Sequence, residues 1–354
     1  MPTKRIEYID ALRGFTMILV VFAHVETFVL SIQPNSTLVS ELFIAFRMPL
    51  FFFISGFISY KKDTIWSSQY YIHSLIKKIK AQLIPTLFFG LSYTYLFSIG
   101  NVSDFIDNGH KFGYWFTICL LGIFMILYTS NFLIYSCFKK HYKIISLVVL
   151  ILVTAVLTLF KFVYDKHPLV AEISDMFCFH QICVYFPFFF FGYFVSHDKE
   201  CFYRFLDNCV VQLCIFILFI ITFYCKRTLP DSIYNINVVL LLYRSIQDVI
   251  IGLLGICIVF NFFRKTTLFS KGSSSVQLLR KIGTRTLDIY MLHYFFLSEI
   301  PSIGGLISVP SNLVLELLFV FSLSMIVITL CLLVSNLLRM SKFLSSILLG
   351  VKIN

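Results

Sequence analysis

Charged residues are scarce in this chain. Only 13% of its 354 residues are Asp, Glu, Lys or Arg, against about a quarter in an ordinary globular domain. Hydrophobic residues make up 58%, and the mean hydropathy is +0.87. This balance excludes a soluble globular enzyme and a disordered chain. The net charge of +11 is spread over many short loops rather than gathered in one soluble domain, so we predict no nucleic-acid partner.

Metal-binding and repeat patterns are missing as well. The ten Cys include no C-x-x-C pair, and most lie in apolar runs, where Cys is an ordinary small apolar residue. We find no internal repeat, no Gly/Ser-rich linker and no low-complexity tail. We therefore predict a single membrane domain over residues 1–354, with no metal site and no resident cofactor.

Long apolar runs dominate instead. A helix that crosses a hydrocarbon core about 30 Å thick needs about 20 apolar residues. Backbone groups in lipid must be paired within their own segment, and the alternating pattern of a membrane barrel is absent. We predict an all-α polytopic membrane protein with about ten transmembrane helices, at roughly residues 11–32, 39–60, 81–98, 113–136, 144–163, 180–196, 208–225, 237–262, 284–300 and 311–338.

The distribution of Lys and Arg predicts the orientation of these helices. With the N-terminus inside, most of the 29 Lys and Arg residues fall in loops on the inner side. Together with an even number of spans, this predicts cytoplasmic N- and C-termini in a multi-pass protein of the cell (plasma or inner) membrane. The first span carries Arg13 and His24 and has no small-residue cleavage pattern, so we expect it to be retained.

Ionisable side chains inside the first span indicate function, because such groups are costly in lipid. Asp10 and Arg13 are three residues apart, share one helix face and can pair. His24 lies eleven residues beyond Arg13, which returns it to nearly the same face about 16 Å further outward. Glu26 faces roughly away from His24.

The second span contributes Arg47, which lies at about the depth of His24 because the two helices run in opposite directions. Pro49 removes a backbone hydrogen bond next to Arg47, and a broken helix of this kind is tolerated where it lines a protein cavity. We therefore expect Arg47 to lie near His24, with outward snorkelling of Arg47 as the alternative.

Two later spans carry further ionisable residues. Arg244 and Asp248 are four residues apart and can neutralise each other, and Arg285 and Asp288 form a similar pair three residues apart. His293 lies near the middle of the ninth predicted span. Structural pairing explains all of these residues as well as a functional role does.

A buried His between guanidinium groups suits acyl transfer. Burial favours the neutral imidazole, which accepts a proton from an acceptor hydroxyl, while a cation stabilises the developing oxyanion. Basic residues at the cytoplasmic mouth, Arg13 together with Lys77, Lys78 and Lys80, could hold a phosphate-rich donor. Ordinary positive-inside topology with attraction to anionic membrane lipid explains the same Lys cluster. A transporter would also use buried His and Arg, for proton relay or anion binding.

Three segments resemble one known family. The segment YIDALRG at residues 8–14, with ten residues between Arg13 and His24, resembles the first-helix signature of the acyltransferase 3 family. The segment FRMPLFFFISG at residues 46–56 resembles the family's second-helix signature, and LDIYMLH at residues 287–293 resembles its late-helix pattern. With about ten spans in about 350 residues, the resemblance covers essentially the whole chain.

This resemblance implies an integral membrane O-acyltransferase. Such enzymes move an acyl group, often acetyl, from cytoplasmic acyl-CoA to a hydroxyl of a surface polysaccharide or lipid-linked glycan. The resemblance implies catalytic roles for His24 and Arg13 and supporting roles for Asp10 and Arg47. The candidate substrate-binding residues are Lys78, Lys80, Arg285 and His293.

The chain departs from the family at one motif, and two other functions stay open. Many members carry an R-x-x-R pair before the third span, whereas here Lys78 and Ala81 stand at those positions. Lys80 could substitute, but Lys lacks the bidentate fork of Arg. The alternatives are a secondary transporter or flippase for a glycan or organic anion, and a non-catalytic partner in a polysaccharide synthesis complex.

Overall fold

The structure is a computed structural model and describes residues 6–33, 37–62, 64–97, 99–139, 141–164, 168–228, 238–266, 273–297 and 313–350. Throughout these residues the regular secondary structure is helical, which agrees with the predicted all-α fold class. The α-helices are α1 (Glu7–His24), α2 (Leu38–Ser59), α3 (Ser68–Leu96), α4 (Val102–Asp107), α5 (Trp115–Cys137), α6 (Tyr142–Tyr164), α7 (Pro168–Met176), α8 (Phe179–His197), α9 (Lys199–Asp207), α10 (Cys209–Thr228), α11 (Val238–Lys265), α12 (Ser274–Thr284), α13 (Thr286–Leu292), α14 (Leu313–Met340) and α15 (Lys342–Leu348).

Eight helices within the described ranges are long and apolar enough to cross a membrane. Each coincides with one of the ten predicted spans. They are Glu7–Val29, Leu38–Ser59, Trp115–Cys137, Tyr142–Phe160, Phe179–His197, Cys209–Thr228, Tyr243–Lys265 and Leu317–Met340. Residues 98, 237 and 311–312 of the predicted spans lie outside the described residues, as do both termini (1–5 and 351–354). The chain is therefore a multi-pass integral membrane protein.

Most of the third predicted span, residues 81–98, forms the second half of a longer helix. Helix α3 begins at Ser68, well before the predicted start at residue 81, and ends at Leu96. Ser67 caps its N-terminus, since its hydroxyl oxygen accepts a hydrogen bond from the Tyr70 amide at 3.2 Å. The added turns are polar and carry Lys77, so apolarity alone could not predict them.

The ninth predicted span, residues 284–300, is not one continuous helix. Helix α13 ends at Leu292, and a 3-10 turn follows over His293–Phe296. Side chains form hydrogen bonds with the backbone carbonyls at this helix end. His293 Nδ1 lies 2.8 Å from the Tyr290 carbonyl oxygen, and the Tyr114 hydroxyl donates to the Met291 carbonyl oxygen at 3.1 Å. Irregular backbone is tolerated at membrane depth when it is buried in protein and its polar groups are hydrogen-bonded. Residues 298–300 lie outside the described residues.

The described contacts divide the chain into two compact units. The first comprises Met1–Tyr60, Phe191–Ile289 and Phe296–Leu330, and the second comprises Lys61–Phe190, Tyr290–Phe295 and Cys331–Asn354. In the first unit, α1 packs along α12, and α2 packs against α1 and α11. In the second unit, α5 packs against α3 and α6.

Glycines allow the helices of the first unit to approach closely. A Cβ atom on Gly283 of α12 would overlap the Asp10 carbonyl oxygen and lie 2.9 Å from the Gly14 nitrogen of α1. A Cβ atom on Gly14 would in turn overlap the Leu279 carbonyl. Small residues at helix interfaces are the usual device for close packing in membranes, so α1 and α12 pack backbone to backbone.

In the second unit, the loop before α5 is held by a buried lysine. Lys111, Phe112 and Gly113 all have positive φ angles, which the two non-glycine residues rarely adopt. Lys111 is 2% exposed, and its ammonium donates to the carbonyls of Ile106, Asn108 (2.9 Å) and Asp175 (2.8 Å). Burial lowers the pKa of Lys111, while the three carbonyls compensate for the lost hydration.

Replacing Lys111 with Met should destabilise the protein by about 2 kcal/mol, because three carbonyls lose the charged donor that they share. Thermal and denaturant unfolding in detergent would measure the loss. Lys139→Met is the matched control, since Lys139 is exposed in the loop after α5. Equal stability of the two variants would show that Lys111 does not hold this loop.

Candidate functional site

Arg13 is the ionisable residue of α1 whose surroundings the structure defines best. Its guanidinium is half-buried, and Nη2 donates a hydrogen bond to the Thr286 hydroxyl oxygen at 2.9 Å. Thr286 is 3% exposed and opens helix α13. The close contact at Gly283 explains why Thr286 reaches Arg13. Gly283 packs on the Asp10 carbonyl of α1, and Thr286 follows Gly283 by three residues. Thr286 was not among the predicted site residues.

A second cation lies beside Thr286 in sequence. Arg285 Nη1 lies 3.5 Å from Asp288 Oδ2, which confirms the predicted pair. Asp288 is 2% exposed, so the ion pair offsets part of the cost of burying its carboxylate. The start of α13 therefore brings one hydroxyl and one ion pair to the Arg13 end of α1.

His24 lies where the regular α-helix of α1 ends. A π-helical turn follows over Val25–Val29, and the Leu30 amide donates to the Val25 carbonyl at 3.1 Å. The His24 ring is half-buried and stacks on Phe28 with centroids 5.6 Å apart. Such π-helical turns occur often at functional sites because they shift the side chains beyond them around the helix axis. The sequence carries no clear signal for this turn.

Arg47 lies in the middle of α2, which continues without a break through Pro49. The expected broken helix is therefore wrong, since Pro49 removes only a single backbone donor. The C-terminal half of α1 and the N-terminal half of α2 are neighbours, because the rings of Phe22 and Phe43 meet with centroids 5.2 Å apart. Phe22 and His24 are two residues apart and point to different sides of α1. A direct His24–Arg47 neighbourhood stays a prediction.

The two candidate lysines of α3 have different environments. The Lys78 ammonium lies 3.4 Å from the centroid of the Phe124 ring on α5, a cation–π contact inside the second unit. Lys80 is exposed, and because it lies two residues beyond Lys78 it points to a different side of α3. Gln82, one turn beyond Lys78, is 8% exposed, and its Oε1 atom has no hydrogen-bond partner among the described residues. A lone Gln in an apolar run was the only sequence signal for it.

His293 is fully buried and takes part in the helix end already described. Its Nδ1 contacts the Tyr290 carbonyl, and its ring packs on Tyr294 with centroids 4.0 Å apart. A carbonyl can only accept, so Nδ1 carries the proton of the neutral ring. This contact gives His293 a structural role, while its predicted substrate contact stays a prediction.

Asp248 has a partner that sequence spacing did not predict. Lys226 Nζ lies 2.7 Å from Asp248 Oδ1, which joins the end of α10 to α11. The pairing with Arg244 was expected from the four-residue spacing alone. A partner on a neighbouring helix becomes visible only once the helices are packed.

These features define the class of the protein. It is a multi-pass helical membrane protein with cationic and hydroxyl side chains between its helices. The chain matches the acyltransferase 3 family, described as an acyltransferase domain, over residues 6–335. Because this match covers most of the chain, the protein belongs to that family and is an acyl-transferring enzyme. No curated protein and no solved structure gives a significant match.

Proposed function

We propose that this protein is an O-acyltransferase that moves an acyl group, most simply acetyl, from acyl-CoA to a hydroxyl of a surface polysaccharide or lipid-linked glycan. The family match supports acyl transfer as the reaction. The observation that carries the site assignment is the Arg13–Thr286 hydrogen bond, which fixes the guanidinium of Arg13 between α13 and α1, the helix that also carries His24. The donor, the acceptor and the residue roles are our proposals.

His24 acts as the general base in this proposal. Its imidazole takes the proton from the acceptor hydroxyl as that oxygen attacks the thioester carbonyl. Arg13, with Asp10 three residues before it on the same helix face, positions the donor. The carbon–sulfur bond then breaks, and the proton passes to the departing thiolate, which leaves as free CoA. Arg47 polarises the site from α2.

The donor is an anionic molecule, and the remaining basic residues suit its phosphates. Lys78, supported by Phe124, and the exposed Lys80 carry charge near the middle of α3, just before its apolar half. Arg285 and His293 lie at the two ends of α13 and are proposed to contact substrate. Lys is a point charge without the planar fork of Arg, so we propose that Lys78 binds phosphate without bidentate geometry.

We also propose one membrane domain of ten spans with both termini in the cytoplasm. The third span corresponds to the apolar half of α3, and the ninth contains α13 and its 3-10 turn. The excess of Lys and Arg in the loops on one side supports this orientation.

Donor turnover by purified protein tests the function directly. The protein in nanodiscs would receive acetyl-CoA labelled in the acetyl group, with isolated surface glycan as acceptor. We expect release of free CoA and labelled ester on the glycan, and loss of the same ester mass from cells that lack the protein. Saturable glycan flux in proteoliposomes without CoA release would favour the transporter instead.

Thr286→Val should lower acyl transfer at least about tenfold, because a hydrogen bond to a charged group contributes about 1.5–3 kcal/mol and each 1.4 kcal/mol is a factor of ten. Val keeps the shape of Thr in this buried position. Thr284→Val is the matched control, since the Thr284 hydroxyl donates only within its own helix turn, to Lys281 at 3.0 Å. Equal rates in both variants would remove Thr286 from the site.

A further inference from the structure

A cavity of about 510 Å³ lies between the first half of α10 and the last two turns of α11, apart from the proposed catalytic helix. It lies entirely within the first unit. Its lining residues are Leu206, Cys209, Gln212, Leu213, Ile215, Phe216, Cys257, Ile258, Asn261, Phe262, Lys265 and Thr266.

The lining of this cavity changes from polar to apolar along the helices. Gln212, Asn261, Lys265 and Thr266 lie near the point where α10 begins and α11 ends. Two turns further into the helices the lining is apolar and includes Phe216 of α10 and Ile258 of α11. Such a gradient matches a membrane interface, where a headgroup region gives way to hydrocarbon.

The polar end is built by hydrogen bonds that do not depend on a ligand. The Gln212 and Asn261 side-chain amides both donate to the Leu206 carbonyl, at 2.6 and 3.2 Å. The Asn261 side-chain oxygen accepts from Arg264 Nη2 at 2.8 Å. The rim of the cavity therefore has fixed geometry.

The charge at this end is net positive. Arg264 and Lys265 both pair with Asp207, the Lys265 ammonium at 3.3 Å. The hydrogen bond from Arg264 holds the pKa of Asp207 below its usual range, so Asp207 is ionised at neutral pH. Two cations share one carboxylate, which leaves one positive charge at the mouth of an apolar trough.

We propose that this cavity binds an anionic phospholipid, with the headgroup phosphate at Lys265 and one acyl chain in the trough between α10 and α11. Basic pockets between transmembrane helices bind anionic headgroups in this way. A soluble phosphate would use only the rim and leave the apolar surface of Phe216 and Ile258 uncovered. Leu213 and Phe216 are more than half exposed, so a chain that fills the trough continues into surrounding lipid.

Competition between lipids in nanodiscs tests the proposal. The protein would be placed in phosphatidylcholine bilayers containing phosphatidylglycerol, and the lipids retained on it would be counted by native mass spectrometry. Lys265→Gln should lower the preference for phosphatidylglycerol about fivefold, the effect of one basic residue near an anionic surface. Lys199→Gln, which removes an exposed charge from the start of α9, should leave the preference unchanged.

Asp207→Asn separates a lipid site from a structural ion pair. It frees both cations, so the preference for phosphatidylglycerol should rise, opposite in sign to Lys265→Gln. A fall in both variants would show that the Asp207 pairs only hold the helices together and would overturn the proposal.

Ile258→Trp should lower retention of both lipids by filling the trough, and unchanged retention would exclude a bound acyl chain. Equal competition by soluble glycerophosphate would identify a simple anion site instead.

Discussion

Replacing His24 with alanine should lower acyl transfer by about 10²- to 10⁴-fold, the usual contribution of a positioned general base. Without the imidazole, the acceptor hydroxyl must lose its proton to water, a much weaker base than imidazole. Binding of the donor should change little, because the proposed phosphate contacts come from other residues. Single-turnover release of CoA from labelled acetyl-CoA would measure the loss.

The ring stack of His24 on Phe28 supplies the matched control. Phe28→Ala removes the stacking partner but leaves the imidazole, so it reports what loss of packing alone does to the rate. His73→Ala, at an exposed position of α3, controls for the loss of any imidazole. Thermal unfolding in detergent checks that each variant is folded. If His24→Ala turned over donor at the rate of Phe28→Ala, His24 would not be the base.

Arg13 and His24 differ in how well each could be predicted from sequence. Their eleven-residue spacing places both on one face of α1 from helix geometry alone. The partner of Arg13 could not be predicted, because Thr286 is 273 positions away and depends on how α12 packs on α1. The Arg285–Asp288 pair was predictable because both partners lie within one helical turn. Local spacing carries information about local pairs only.

The same distinction applies to the helices. Apolar runs such as the one that forms α6 predict a helix because lipid leaves the backbone no other way to pair. Residues 284–300 look similar by composition, but Tyr114 and His293 satisfy the carbonyls where α13 ends. Ending the helix in this way requires the Tyr114 side chain, which comes from a segment distant in sequence. The polar first turns of α3 depend on the cap at Ser67 rather than on apolarity.

Gly283→Ala should destabilise the protein by at least about 3 kcal/mol, at the upper end of overpacking effects. The added Cβ overlaps the Asp10 carbonyl oxygen and approaches the Gly14 nitrogen, and both belong to the backbone of α1, which cannot rotate away. Gly122→Ala is the matched control, because there the added Cβ meets the end of the flexible Ile182 side chain. Helix propensity favours Ala over Gly by about 1 kcal/mol in both variants, so only the contact differs.

The effect of Gly283→Ala on activity should exceed its effect on the folded fraction. Relief of the clash requires α12 to move away from α1, and Thr286 follows Gly283 by only three residues, so its hydrogen bond to Arg13 lengthens. We therefore expect at least a tenfold loss of acyl transfer, about the loss from Thr286→Val, in protein that is still folded at low temperature. Measuring the rate per folded molecule, with folding followed by thermal unfolding in detergent, separates the two effects. A folded Gly283→Ala variant with wild-type turnover would show that the backbone contact between α1 and α12 does not position Arg13.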